Sequence, residues 1–151
     1  MPTLAIHALA MLEELRKDGL PVRSTVIYTQ LTDPDGLLGT TDGPAEKVAF
    51  VDARINAGRV HDRSYGSLEL GGTIEVYDDA RTATAMAAQA AARPGSGRVV
   101  TWDGVLLVLS QHLTKLQADG YVVPITYRDD IDTSFPRLQR YEQVNPVLDV
   151  S

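Results

Sequence analysis

The chain contains no cysteine in its 151 residues. Disulfide frameworks, thiolate nucleophiles, cysteine-ligated zinc and iron–sulfur clusters are therefore excluded, while the cellular compartment stays open. Positive charge is also short: 14 basic residues face 20 acidic ones, for a net charge of −6. Nucleic-acid surfaces are built on a basic stripe, so neither DNA nor RNA is expected as a partner. Lysine occurs only at positions 17, 47 and 115, and alanine is abundant, a balance that suggests a GC-rich genome. Long hydrophobic runs are missing. The apolar stretch 4–11 has no basic residues before it and breaks at Glu13-Glu14, so it reads neither as a signal peptide nor as a membrane span. As written, the chain is expected to be soluble, either cytoplasmic or an exported domain without its signal.

Catalytic and metal-binding signatures are lacking too. There is no Gly-x-Ser-x-Gly elbow, and His7, His61 and His112 lie far from one another. Arg93-Pro-Gly-Ser-Gly-Arg98 lacks the Gly-Lys-Ser/Thr ending of a phosphate loop and follows a helix where such a loop precedes one. Asp33-Pro-Asp-Gly36 has too few acidic residues after it for an EF-hand and reads as a capped turn. No catalytic residue, metal or cofactor is expected.

What is present is enough chain for one self-sufficient core. Leu4, Ala8, Met11, Leu12 and Leu15 recur at helical spacing and predict a helix over 3–18, with Thr3 as N-cap and Gly19 then Pro21 as its stop. Strands are predicted over 22–32, 47–55 and 68–77, the last marked by Gly71-Gly72 as a bulge or a close approach of backbones. A polar loop expected to be mobile joins the second and third of these. Asp78 or Asp79 caps a helix to Arg93 that buries Ala83, Met86, Ala87 and Ala90. Strands over 98–102 and 105–110 flank Asp103-Gly104, the strongest hairpin signal. A short helix over 113–119 and an edge strand over 121–127 follow, the latter suggested by Pro124.

Strand runs broken by helices, without repeating βαβ units, imply an α+β fold. The expected architecture is a mainly antiparallel sheet of four to six strands with two or three helices packed on one face. Residues 1–127 form a single domain on this reading, and 128–151 an extended C-terminal tail.

One stretch, 28–79, carries a motif series. A tyrosine strand (Tyr28) leads to Thr32-Asp-Pro-Asp35 and Leu37-Leu-Gly39. A lysine-containing strand follows, running from Lys47 to Asp52-Ala-Arg54, and then Gly71-Gly-Thr-Ile-Glu75-Val-Tyr77. The series resembles a family of actinobacterial and actinophage proteins without an assigned activity, many of them secreted or lipid-anchored at the surface. The family pattern continues Gly-Arg-Pro where this chain has Gly39-Thr40-Thr41, and its lipid-attachment cysteine has no counterpart here. The resemblance implies an origin and transfers no activity.

The candidate binding residues are Tyr28, Asp33, Asp35, Lys47, Asp52, Arg54, Glu75 and Trp102. Asp52 and Arg54 are expected on one strand face with Glu75 projecting near them, either as a polar binding surface or as a cross-strand ion pair. Trp102 is either a partner anchor or, more commonly for such a position, a residue closing a hairpin over the core. The expected function is a non-enzymatic interaction module acting through 28–54 on another protein or a small molecule. The alternatives are a small hydrolase-like enzyme whose carboxylates Asp33, Asp52 and Glu75 meet in a cleft, and a structural homodimer subunit.

Overall fold

A computed structural model of the protein describes residues 6–126 and 140–143. The elements are α1 (Ile6–Lys17), β1 (Val22–Ile27), β2 (Glu46–Asp52), β3 (Gly71–Val76), α2 (Ala80–Ala91), β4 (Ser96–Trp102), β5 (Val105–Ser110), α3 (Lys115–Thr126) and β6 (Arg140–Gln143). All six strands join one antiparallel sheet in the order β1-β2-β3-β5-β4-β6. The α+β class is as the strand and helix runs predict. The Thr3 cap, and the tail outside Arg140–Gln143, lie outside the described residues.

The helices cover both faces of the sheet. Because strand side chains alternate, Val48, Phe50, Ile74, Leu107 and Val100 point to one face, where Met11, Leu12 and Leu15 of α1 and Tyr121 of α3 cover them. The opposite face carries Leu106, Val108 and Val99 under Ala83, Met86, Ala87 and Ala90 of α2. The expectation of helices on a single face fails because β5 is apolar on both sides, Val105 to Ser110 being buried throughout. Such a strand needs cover above and below.

Local chemistry explains several boundaries. Gly19, at φ +95°, ends α1: its N–H bonds the Arg16 carbonyl and the Leu20 N–H bonds that of Leu15, the paired pattern of a left-handed C-cap. Asp79 accepts a hydrogen bond from the Thr82 N–H and caps α2. Asp103 turns the β4–β5 hairpin at φ +55°. Gly71 and Gly72 mark a close approach of backbones, since a Cβ on Gly72 would lie 2.6 Å from the Val108 carbonyl oxygen and 2.9 Å from the Phe50 ring.

Residues 121–126 continue α3 where an edge strand was expected. Ala118, Tyr121 and Val122 all enter the core at helical spacing, the Tyr121 ring meeting Phe50 at 5.2 Å and its hydroxyl donating to Asp52 at 2.6 Å. That anchoring outweighs Pro124, which lies in the last turn. The loop between β2 and β3 is expected from composition to be mobile, yet it contains the helical turns Ala57–Arg59 and Leu68–Leu70 and is tied to a buried carboxylate, Glu69.

Candidate functional site

The α2 face of the sheet is not fully roofed by α2. Over β2 and β3 lies an open cleft of about 390 Å³. It is lined by parts of 28–35, by Asp62 and residues 64–68, by Lys47 and Thr73 from the sheet, and by Arg93 and Pro94 after α2.

Strand alternation and loop closure together bring the charges here. Lys47 of β2 and Glu75 of β3 are directly opposed in the ladder and share the α2 face. The Lys47 ammonium donates to Asp33 Oδ1 and to Asp35 Oδ2, each at 2.7 Å, and sits 5.3 Å from the centre of the Tyr28 ring. Asp33 also accepts hydrogen bonds from the Asp35, Leu37 and Leu38 N–H groups at 3.1, 2.9 and 2.9 Å. One carboxylate thus shapes the Asp-Pro-Asp-Gly turn and pins it to the sheet. Burial disfavours its charge, but the bonds from Lys47 and from the Leu38 and Asp35 N–H groups hold its carboxyl below the usual aspartate value. Burial likewise works against the Lys47 charge, and Asp33 and Asp35 overcome it, raising the ammonium above the usual lysine value.

Glu75, almost fully buried, is gripped by Arg93, whose Nη1 donates to Oε2 at 2.6 Å and Nη2 to Oε1 at 3.3 Å. The Tyr77 hydroxyl donates to Oε1 at 2.6 Å. Burial, and then the Glu75 charge, push that phenol well above its ordinary value. The Tyr28 hydroxyl donates to the Gly66 carbonyl at 3.1 Å, tying the 28–45 loop to the 56–67 loop. Gly66 is at φ +87°, and a Cβ there would strike that hydroxyl.

These placements revise the sequence reading. Lys47 is only 3% exposed and Asp33 is buried, because the 28–45 loop folds over them as a self-satisfied turn. Asp35 and the aromatic Tyr28 do face the cleft. Asp52 and Arg54 do not join Glu75: Asp52 belongs to the α1/α3 face with Val48 and Phe50, one residue out of phase with Lys47 and Glu75. Arg54 lies in the turn after β2 and reaches back to Asp52, with Nε and Nη2 at 3.0 and 2.7 Å. Burial opposes the Asp52 charge, and Arg54 and Tyr121 hold its carboxyl low despite it. Asp33, Asp52 and Glu75 therefore do not meet in one cleft. Trp102 is 1% exposed and belongs to the core under α1 and α3. A surface-anchor role for it is corrected by its alternation with Val100 on the buried face.

Sequence reading missed Arg93, Tyr77, Thr73 and residues 62–68. Arg93 carried a weak signal as the last charged residue of an alanine-rich helix, but only the fold shows that the helix ends over Glu75. Thr73 Oγ1 is buried and has no hydrogen-bond partner among the described residues. An unsatisfied buried hydroxyl costs about 1–3 kcal/mol.

Two further carboxylates act in structural ties. Glu46 receives the Ala8 N–H at 3.0 Å at the start of α1, where a negative charge complements the helix dipole, and contacts His7 Nδ1 at 2.6 Å. Glu69 receives the His61 and Asp62 N–H groups and meets His112 Nε2 at 3.1 Å. Among the described residues no group of three or more histidine or acidic side chains converges in a way that could hold a metal ion. No helix among them is long and apolar enough to cross a membrane. Neither a protein-family model, nor a curated protein, nor a solved structure matches the chain.

Proposed function

We propose that this protein is a non-enzymatic binding module whose ligand or partner enters the cleft over β2 and β3, with the 28–54 strand-loop-strand region supplying much of its lining. The observation that carries this reading is the state of the charged groups. Asp33 and Glu75, two of the three carboxylates that the enzyme alternative requires, lie behind the cleft lining and are each locked to a cation and to further donors. The Asp33 carboxylate, held below its ordinary value, is a weak base, and the Lys47 ammonium, raised above its own, is a weak nucleophile. Rigid, mutually satisfied groups under loops suit presentation of a surface better than turnover. The motif resemblance supports an actinobacterial or phage setting for this module.

The test is a nuclear magnetic resonance screen of the folded chain with cationic, anionic and neutral fragments. Amide shifts confined to 32–35, 62–68 and Thr73 are the expected result. Shifts elsewhere would overturn the assignment of this cleft, and ester or glycoside hydrolysis abolished by Glu75→Gln would favour the carboxylate-enzyme alternative.

A further inference from the structure

We infer that the cleft recognises a cationic nitrogen group, an ammonium or guanidinium. This rests on the binding-cleft reading and adds the chemistry of the ligand. In and behind the cleft lining, the carboxylates of Asp33, Asp35, Asp62 and Glu75 outnumber the cations Lys47 and Arg93. Both cations are already engaged, Lys47 by two aspartates and Arg93 by both oxygens of Glu75. An incoming anion would meet occupied donors and surplus negative charge, whereas an incoming cation would meet acids with accepting capacity to spare. The Asp35 side chain is 43% exposed, and only its Oδ2 is used by Lys47. Asp62 is exposed, its Oδ1 accepting from the Ser64 N–H and hydroxyl, with the Ser67 side chain a further donor to the carboxylate.

Two independent features complete such a site. Thr73, 5% exposed, lines the cleft from the sheet, and its Oγ1 lacks a partner among the described residues, so an N–H group reaching the sheet would satisfy it. Tyr65, 78% exposed, lines the cleft with an uncovered ring, the group on which a cation stacks. A tyrosine ring, two solvent-accessible acids and a buried acceptor are the parts from which ammonium and guanidinium sites are built.

The experiment titrates the intact chain with two guanidinium probes, followed by calorimetry and amide shifts. Agmatine stands for a free small molecule, and the capped peptide acetyl-Gly-Arg-Gly-amide for a protein side chain. Inorganic phosphate and acetyl-glutamate amide are the anionic controls. One or both guanidinium probes should shift Asp35, residues 64–66 and Thr73, more weakly as salt rises. Response to agmatine alone indicates a small-molecule ligand, response to the peptide alone a protein one. Tyr65→Ala should weaken binding roughly two- to fivefold, and Asp62→Asn and Thr73→Val should also weaken it, all three without lowering the melting temperature. Unchanged affinity in all three variants overturns the assignment. Shifts caused by the anionic probes alone would overturn the cation inference and leave the binding cleft standing, and no shift with any probe would remove both.

Discussion

Lys47 and Asp35 show how differently two partners in one ion pair can behave. Lys47 is buried against Asp33, so Lys47→Met strands a carboxylate with no counter-charge and should cost about 3–5 kcal/mol. Asp35 is partly exposed, and Asp35→Ala should cost about 1 kcal/mol or less. Urea denaturation of the two variants checks the contrast, and equal losses would contradict it. The ion pairs and hydrogen bonds that overcome burial set the pH response. Asp33, Asp52 and Glu69 have folded pKa values below their ordinary ones of 3.8, 3.8 and 4.5. The stability they contribute is fully present above those ordinary values and is lost as pH falls through the lower folded ones. Lys47 has the opposite sign: raised above 10.5, its contribution holds below that value and is lost as pH climbs through the folded one. Melting temperature plotted against pH should therefore fall steeply below about pH 4, and Asp33→Asn should flatten that acid limb.

At the scale of elements, the β2–β3–β5 ladder has little tolerance in its centre. Gly72 lies between the Val108 carbonyl and the Phe50 ring, so Gly72→Ala should overpack the sheet and cost about 1–3 kcal/mol. A variant melting like the parent would show that the strands can spread. The alanine stripe of α2 was legible from spacing alone, because three alanines and Met86 recur on one helical face and the Asp79 cap precedes them. The start of the last helix was legible too, but its continuation beyond residue 119 was not. A Tyr-Val-Val run containing proline has the local chemistry of an edge strand, and only contact with Phe50 and Asp52 from β2 decides for helix. Long-range packing overrides local preference there.

For the molecule as a whole, the acidic balance and the core predict two bulk properties. Melting with and without a strong chelator should coincide, since the described cores are closed by apolar side chains and internal ion pairs. A large drop with chelator would reveal a metal dependence. Affinity for DNA or RNA at physiological salt should be no better than about micromolar, the level of non-specific binding, because Arg54, Arg93 and Arg98 are each paired with an acid. Electrophoretic mobility shift and its salt dependence measure this directly.

Composition and periodicity were sufficient for the α+β class, the hairpin at Asp103-Gly104, the capped α2 and the turn at Asp33 to Gly36, because each depends on neighbours within one helical turn or one hairpin. They marked Tyr28 and Asp35 as candidates, and both line the cleft, although Tyr28 follows β1 where a strand to residue 32 is expected. They could not say that Lys47 is buried or that Glu75 parts company with Asp52. The first follows from closure of the 28–45 loop over Lys47, the second from strand pairing and phase, which set Lys47 and Glu75 on one face of the sheet and Asp52 on the other. Nor could they assemble Lys47, Glu75, Arg93 and Asp33, which come from four separate segments. Those contacts exist only once α2 ends over β3 and the 28–45 loop closes on β2, so the site is a property of the tertiary fold.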